Sequence, residues 1–165
     1  MIQETTSEKV ELLYQLHQLY LQEANYDSVL FVQGEAKNVS NVIKDVESLA
    51  KVSVMEGAFF YKKRQVEKSI QKFKDAEVLI QGVKNDELKY LIYSHLGINY
   101  YLLGYAKLEL DSCLYYYYKT ATFSEEISIH KLAKSYTRIS QAYSTLNKKD
   151  SVFIYKNKLL NLVRE

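Results

Sequence analysis

The sequence has no proline and no tryptophan, one cysteine and five glycines among its 165 residues. A chain so poor in turn residues does not suit an all-β domain of many short strands. Long helices joined by short connections need few such residues and are broken by proline. A single cysteine, Cys113, excludes an internal disulfide. It stands where a small apolar side chain is expected, so it reads as a packed core thiol. No apolar run approaches the roughly 18 residues of a membrane-spanning helix. Met1 to Glu8 carry neither a basic flank nor an apolar stretch, which predicts no secretion signal. Net charge is +2 with 25% charged residues. A general nucleic-acid binder concentrates a basic field that this balance does not supply. The absences together predict a soluble, cytoplasmic protein that binds neither membrane nor, by this chain alone, nucleic acid.

What is present is apolar content, 47% of the residues, and repetition. Asp27-Ser28-Val29, Glu67-Lys68-Ser69, Asp111-Ser112-Cys113 and Asp150-Ser151-Val152 echo one another at intervals of about 40 residues, a period that signals stacked helical hairpins. Helical periodicity agrees. Leu12, Leu13, Leu16, Leu19 and Tyr20 follow a cap at Ser7, and Asp27 or Ser28 caps a second helix. Asn38 to Asn41 reads as the next break, followed by a helix from Val42 to Lys63 and another from Gln65 to Gln81. Gly82 and Gly104 are expected to end helices as left-handed caps, with three more helices from Leu108, Ile129 and Lys149. The expectation is one all-α domain over 1–165, a right-handed stack of about four antiparallel hairpins and about eight helices.

Several positions carry a family pattern. Tyr93, Leu96-Gly97, Tyr100 and Gly104, then Cys113, Tyr117 and Ala121, put small residues and aromatics at fixed offsets along a hairpin. Gly57, Phe60, Val66, Phe73 and Ala76 fall in the same frame, as do Leu13, Leu16, Tyr20, Tyr26, Val29 and Ala36 in the first hairpin and Tyr136, Ile139, Tyr143 and Val152 in the last. The chain resembles tetratricopeptide repeats over nearly its whole length. It departs from them in lacking the terminal Pro and in a period of about 40 rather than about 34. The stretches Glu56 to Arg64, Ser69 to Glu77 and Tyr100 to Leu103 are also similar to the repeat domains of Gram-positive peptide-sensing regulators, the Rap-type response-regulator phosphatases and inhibitors and their DNA-binding relatives. That resemblance implies a peptide held on the concave repeat surface and a conformational response. Nothing before residue 40 reads as a helix-turn-helix or a separate effector bundle, so phosphatase and DNA-binding activities are not carried over.

In such repeats the first helix of each hairpin lines the groove. The outward positions would be Lys51, Met55, Tyr61 and Lys62, then Ser94, His95, Ile98 and Tyr101, then Lys134, Thr137, Arg138 and Gln141. Cations, aromatics and hydrogen-bonding groups in this mixture suit an extended peptide. Lys134 and Arg138 lie one turn apart and match the cationic positions of carboxylate-clamp repeats, but Val54, Ala58 and His95 stand where that clamp needs Lys and two Asn. The plain alternative is that Lys134 and Arg138 form a solvated helix face.

Catalytic and metal chemistry lack a constellation. His17, His95 and His130 fall on different hairpins without a paired cysteine or carboxylate at ligand spacing. The glycines are isolated, so no phosphate loop exists, and no nucleophile-base arrangement can be argued. Tyr115 to Tyr118 point in four directions on a helix, so some pack and some face water. The resulting expectation is a non-catalytic peptide- or protein-binding scaffold without metal or cofactor. A second reading is self-association through the terminal helices, because Val152, Phe153, Ile154, Tyr155, Leu159, Leu160, Leu162 and Val163 make the closing helix apolar on more than one side.

Overall fold

The computed structural model describes residues 6–107 and 109–164, excepting the side chains of 105–107 and 126. Met1 to Thr5 and Leu108, the expected start of the sixth helix, lie outside the described residues. Among the described residues the chain is all-α. Its helices are α1 (Ser7–Gln22), α2 (Tyr26–Ile43), α3 (Val46–Lys62), α4 (Val66–Leu79), α5 (Asp86–Lys107), α6 (Leu110–Ile127), α7 (Ile129–Thr145) and α8 (Lys149–Leu162), with one 3₁₀ turn at Ile80–Gly82. Successive helices pair as four antiparallel hairpins. They fall into two compact units, Met1–Lys84 and Asn85–Glu165, of two hairpins each.

The four-fold echo has a local cause. Asp27, Glu67, Asp111 and Asp150 each sit in the first turn of the second helix of a hairpin, where a carboxylate meets the positive end of the helix dipole. Two residues on, Val29, Ser69 and Cys113 are fully buried. Helix starts are fixed by side-chain oxygens that satisfy free amides. Thr6 accepts from the Lys9 amide at 3.3 Å, Asp45 from Ser48 at 2.9 Å and Ser128 from Lys131 at 3.2 Å.

Four local expectations are corrected. The first helix is capped by Thr6, one residue before Ser7, because the Thr6 hydroxyl accepts the Lys9 amide. The second helix is capped by Asn25, which accepts from the Ser28 amide at 3.3 Å, two or three residues earlier than a cap at Asp27 or Ser28. Asn38 to Asn41 do not break α2, because Val39 and Ser40 are buried within it and packing overrides weak local propensity. The turn comes instead at Lys44, whose φ is 52°. Nor are the glycines left-handed caps: the positive-φ positions are Ala24, Lys44, Arg64 and Asn147. Gly104 lies inside α5.

The glycines that matter allow close approach. A Cβ on Gly57 would lie 2.8 Å from the Phe73 ring, and one on Gly97 would lie 2.3 Å from Tyr117. These pairs let α3 meet α4 and α5 meet α6 at short range, with an aromatic ring seated on backbone.

In the first unit the core gathers Leu13, Val32, Ala36, Val52 and Met55. Met55 is fully buried, which corrects its assignment to an outward groove position. α3 is covered by both α1 and α2, so the arc of α3 that carries Met55 is interior. Val54 and Ala58 are buried as well. In the second unit Cys113, Leu114, Tyr117, Ala121, Leu132, Ile139 and Ala142 form the core. Cys113 is the packed thiol expected, and burial pushes its pKa up to about 12. Tyr116 and Tyr117 are buried while Tyr115 and Tyr118 face solvent, as the helical geometry of the tyrosine run requires.

Candidate functional site

In the second unit a regular series of polar side-chain pairs bridges two helices. Lys131 of α7 pairs with Glu87 of α5, Arg138 Nη1 donates to Ser94 Oγ, and the hydroxyls of Tyr101 and Thr145 meet at 3.1 Å. Each pair spans the same separation of 44 residues. The three partners on each helix follow one another at two-turn intervals, so they share one face. Equal offsets at three levels mean that α5 and α7 run parallel and in register.

Arg138 is half-buried at the middle rung, against a Ser94 that is only 5% exposed. A guanidinium carries five donors in a planar fork, so one bond to Ser94 leaves others for a partner. Tyr101 and Ile98 pack against the core of the unit. Burial, and then the positive charge of Arg138, lower the His95 pKa to about 4, so this imidazole is neutral at physiological pH. Lys134, Thr137 and Gln141 are exposed along α7. The Thr137 hydroxyl is turned back to the Ala133 carbonyl at 2.8 Å, which leaves Lys134 and Gln141 as the outward polar groups beside Arg138. The strip can bind a carboxylate through Lys134 and Arg138 and offer an amide to a peptide backbone through Gln141.

The residues expected in the first unit have other roles. Lys51 reaches Glu11 of α1 at 2.7 Å and Glu47 at 3.0 Å. Burial works against its charge, but the two carboxylates outweigh this and raise its pKa, while Glu11 is held low by the same contact. Lys51 therefore ties α1 to α3. Met55 contributes its backbone: its carbonyl accepts from Gln33 Nε2 at 3.1 Å, and that nitrogen also lies 3.0 Å from His17 Nε2. Tyr61 is half-buried near the end of α3. The structure thus places Tyr101 and Arg138 in the seam, puts His95, Ile98, Lys134 and Gln141 on the same two helices, and leaves Lys51, Met55 and Tyr61 in the other unit.

Sequence reasoning missed Glu87, Lys131 and Thr145 as seam residues. The signal was available: 87, 94 and 101 recur at heptad spacing, as do 131, 138 and 145. It also missed Glu56, which bonds Lys72 of α4 at 2.7 Å and Lys37 of α2 at 3.5 Å and so links three helices. Among the described residues no three His, Cys, Asp or Glu side chains converge as metal ligands, and no helix is long and apolar enough to cross a membrane.

Fold and seam together define a class, an all-α protein of antiparallel helical hairpins with a polar strip between parallel helices. No protein-family profile and no curated protein matches the sequence. Among solved structures, the crystal structure of BtubC (BKLC) from P. vanneervenii is similar, with a TM-score of 0.78 at 13% identity, covering 94% of this chain and 63% of that one. The chain accordingly spans less than two thirds of BtubC, and the likeness is one of fold.

Proposed function

We propose that the chain is a non-catalytic recognition scaffold that holds an extended peptide or protein segment along the α5–α7 strip, in the cytoplasmic regulation of a bacterium. The observation that carries this reading is the in-register seam. Three polar pairs bridge α5 and α7, so that Lys134, Arg138 and Gln141 of α7 keep a constant relation to His95, Ile98 and Tyr101 of α5 without a ligand present. Preorganisation of this kind lowers the ordering cost of binding. The similarity to peptide-sensing repeat domains supports a peptide as the ligand, and the pair of cations supports one with a carboxylate facing α7.

The seam also selects the test. Tyr101 and Arg138 hold the helices together, so alanine at either would mix loss of contact with loss of register. Lys134 and Gln141 are exposed and bear no rung. The Lys134→Ala, Gln141→Ala double variant should keep its helicity and melting temperature. Peptides enriched on the wild-type protein from a random display library should bind the variant at least about tenfold more weakly, given charged hydrogen bonds worth about 1.5–3 kcal/mol. Equal binding by the two proteins would reject the strip as the site.

A further inference from the structure

The two terminal helices of the described residues expose matching apolar stripes of opposite charge. On α1, Leu12, Leu16 and Leu19 recur at helical spacing, and Leu12 is 62% exposed. They turn away from Val10, Leu13, His17 and Leu21, which are buried against the rest of the first unit. Phe31 of α2, 69% exposed, stands one turn before the Glu35 that pairs with Lys9 of α1, and extends the patch. The exposed charges of α1 are acidic: Glu8 near its start and Glu23 at its end. The one lysine of α1, Lys9, is engaged by Glu35 at 3.8 Å.

On α8 no residue is buried. Tyr155 and Leu162 pack on the core of the second unit, while Phe153, Leu160 and Val163 line another face, with Phe153 65% and Val163 84% exposed. Lys149, Lys156 and Arg164 flank them and are exposed. Contiguous exposed apolar surface marks an interaction site, and here acidic groups flank one stripe and basic groups the other.

We propose that α8 of one copy docks antiparallel on α1 of a second copy, joining chains head to tail. The antiparallel arrangement is the one that α6 and α7 adopt in the second unit, where Tyr118 and Tyr143 and then Ser124 and Ser135 meet at 2.6 and 2.8 Å. Aligned in this direction, a single register sets Lys149 beside Glu23, Phe153 beside Leu19, Lys156 beside Leu16, Leu160 beside Leu12 and Arg164 beside Glu8. Two apolar levels, with Lys156 on Leu16 between them, are thus closed at both ends by an opposite-charge pair, and the Lys156 stem can lie along Leu16 with its ammonium in water. Laid parallel, with Lys149 beside Glu8 and Arg164 beside Glu23, the helix forms the same kinds of charge pair and the apolar levels Phe153–Leu12 and Leu160–Leu19, but it sets the amide of Asn157 on Leu16, where the antiparallel register sets the aliphatic stem of Lys156. Because donor and acceptor surfaces differ, the contact is heterologous and grows into rings or open chains instead of stopping at a dimer.

Sedimentation and light scattering over a concentration series test this. The weight-average mass of the wild-type protein should climb past that of a dimer, and less so at high salt, since exposed charge pairs are screened. Leu16→Glu and Phe153→Glu each spoil one surface and should each be monomeric, with unchanged helicity because both positions are exposed. Mixed together, they should form a one-to-one dimer that grows no further, the intact α8 of the first on the intact α1 of the second. A wild-type protein that stays monomeric, one variant that still self-associates, or a mixture that stays monomeric would each overturn the proposal. Peptide binding at Lys134 and Gln141 is a separate measurement and does not enter this outcome.

Discussion

Gln33 sits at the centre of a small buried network that joins three helices. Its side-chain amide nitrogen donates to the Met55 carbonyl, and its second hydrogen is directed at His17 Nε2. The ring accepts there, which requires that nitrogen to be unprotonated. His17 is fully buried, and burial lowers its pKa to about 4 from 6.5, against the pull of the Met55 carbonyl. The unfolded chain therefore binds a proton that the native state refuses. Stability is complete above about pH 6.5, falls as the pH drops toward 4, and loses nothing more from this group below that. The expected loss between pH 7 and pH 5 is about 2 kcal/mol. His95, lowered by burial and by Arg138, acts in the same direction over the same window. Urea midpoints measured from pH 7.5 to 4.5 should show this decline, and His17→Leu should flatten it even though it lowers stability at neutral pH by leaving Gln33 unpaired. A pH profile identical in the variant would show that His17 is charged or solvated in the native state.

At the scale of the helix pair, glycine placement decides how closely two helices approach. Gly97 lies under Tyr117, a ring that is itself buried and cannot yield, so Gly97→Ala should force α5 and α6 apart at a cost of about 1–3 kcal/mol. Gly34 is an exposed residue within α2 with nothing near its would-be Cβ, so Gly34→Ala should stabilise by about 0.5–1 kcal/mol through backbone entropy alone. Opposite shifts in melting temperature from the same chemical change would confirm that Gly97 is there for contact; two shifts of one sign would refute it. These elements also show what the sequence made legible. Hairpin order, the buried third residue of the first three echoes and the Gly-aromatic contacts follow from periodicity, which one helix displays by itself. The turn at Lys44 did not, because a left-handed lysine has no local signature and Asn38 to Asn41 look like a break until packing at Val39 and Ser40 is known. The strip on α7 was legible as Lys134, Arg138 and Gln141. Met55 was misplaced because helical spacing gives an angle around α3 and not the number of neighbours covering it.

At the scale of the whole chain, the described residues form two compact units with separate cores, and one chemical reporter distinguishes them. Cys113 is the only thiol and belongs to the core of the second unit. Its burial raises the thiol pKa to about 12, so the reactive thiolate is scarce unless that unit opens. In hairpin arrays stability is roughly a sum of repeat and neighbour contributions, so damage to one unit need not be shared equally by the other. Gly57→Ala damages only the first unit, where the new methyl would meet the Phe73 ring at 2.8 Å. In mild urea this variant should lose amide protection along α1 to α4 by at least about tenfold, as about 1.4 kcal/mol of destabilisation requires, while the rate of Cys113 labelling by a thiol reagent rises less. Gly97→Ala, damaging the second unit, should accelerate labelling strongly. Labelling that quickens by the same factor in both variants would mean that the chain opens as one cooperative block, with its two cores acting as one.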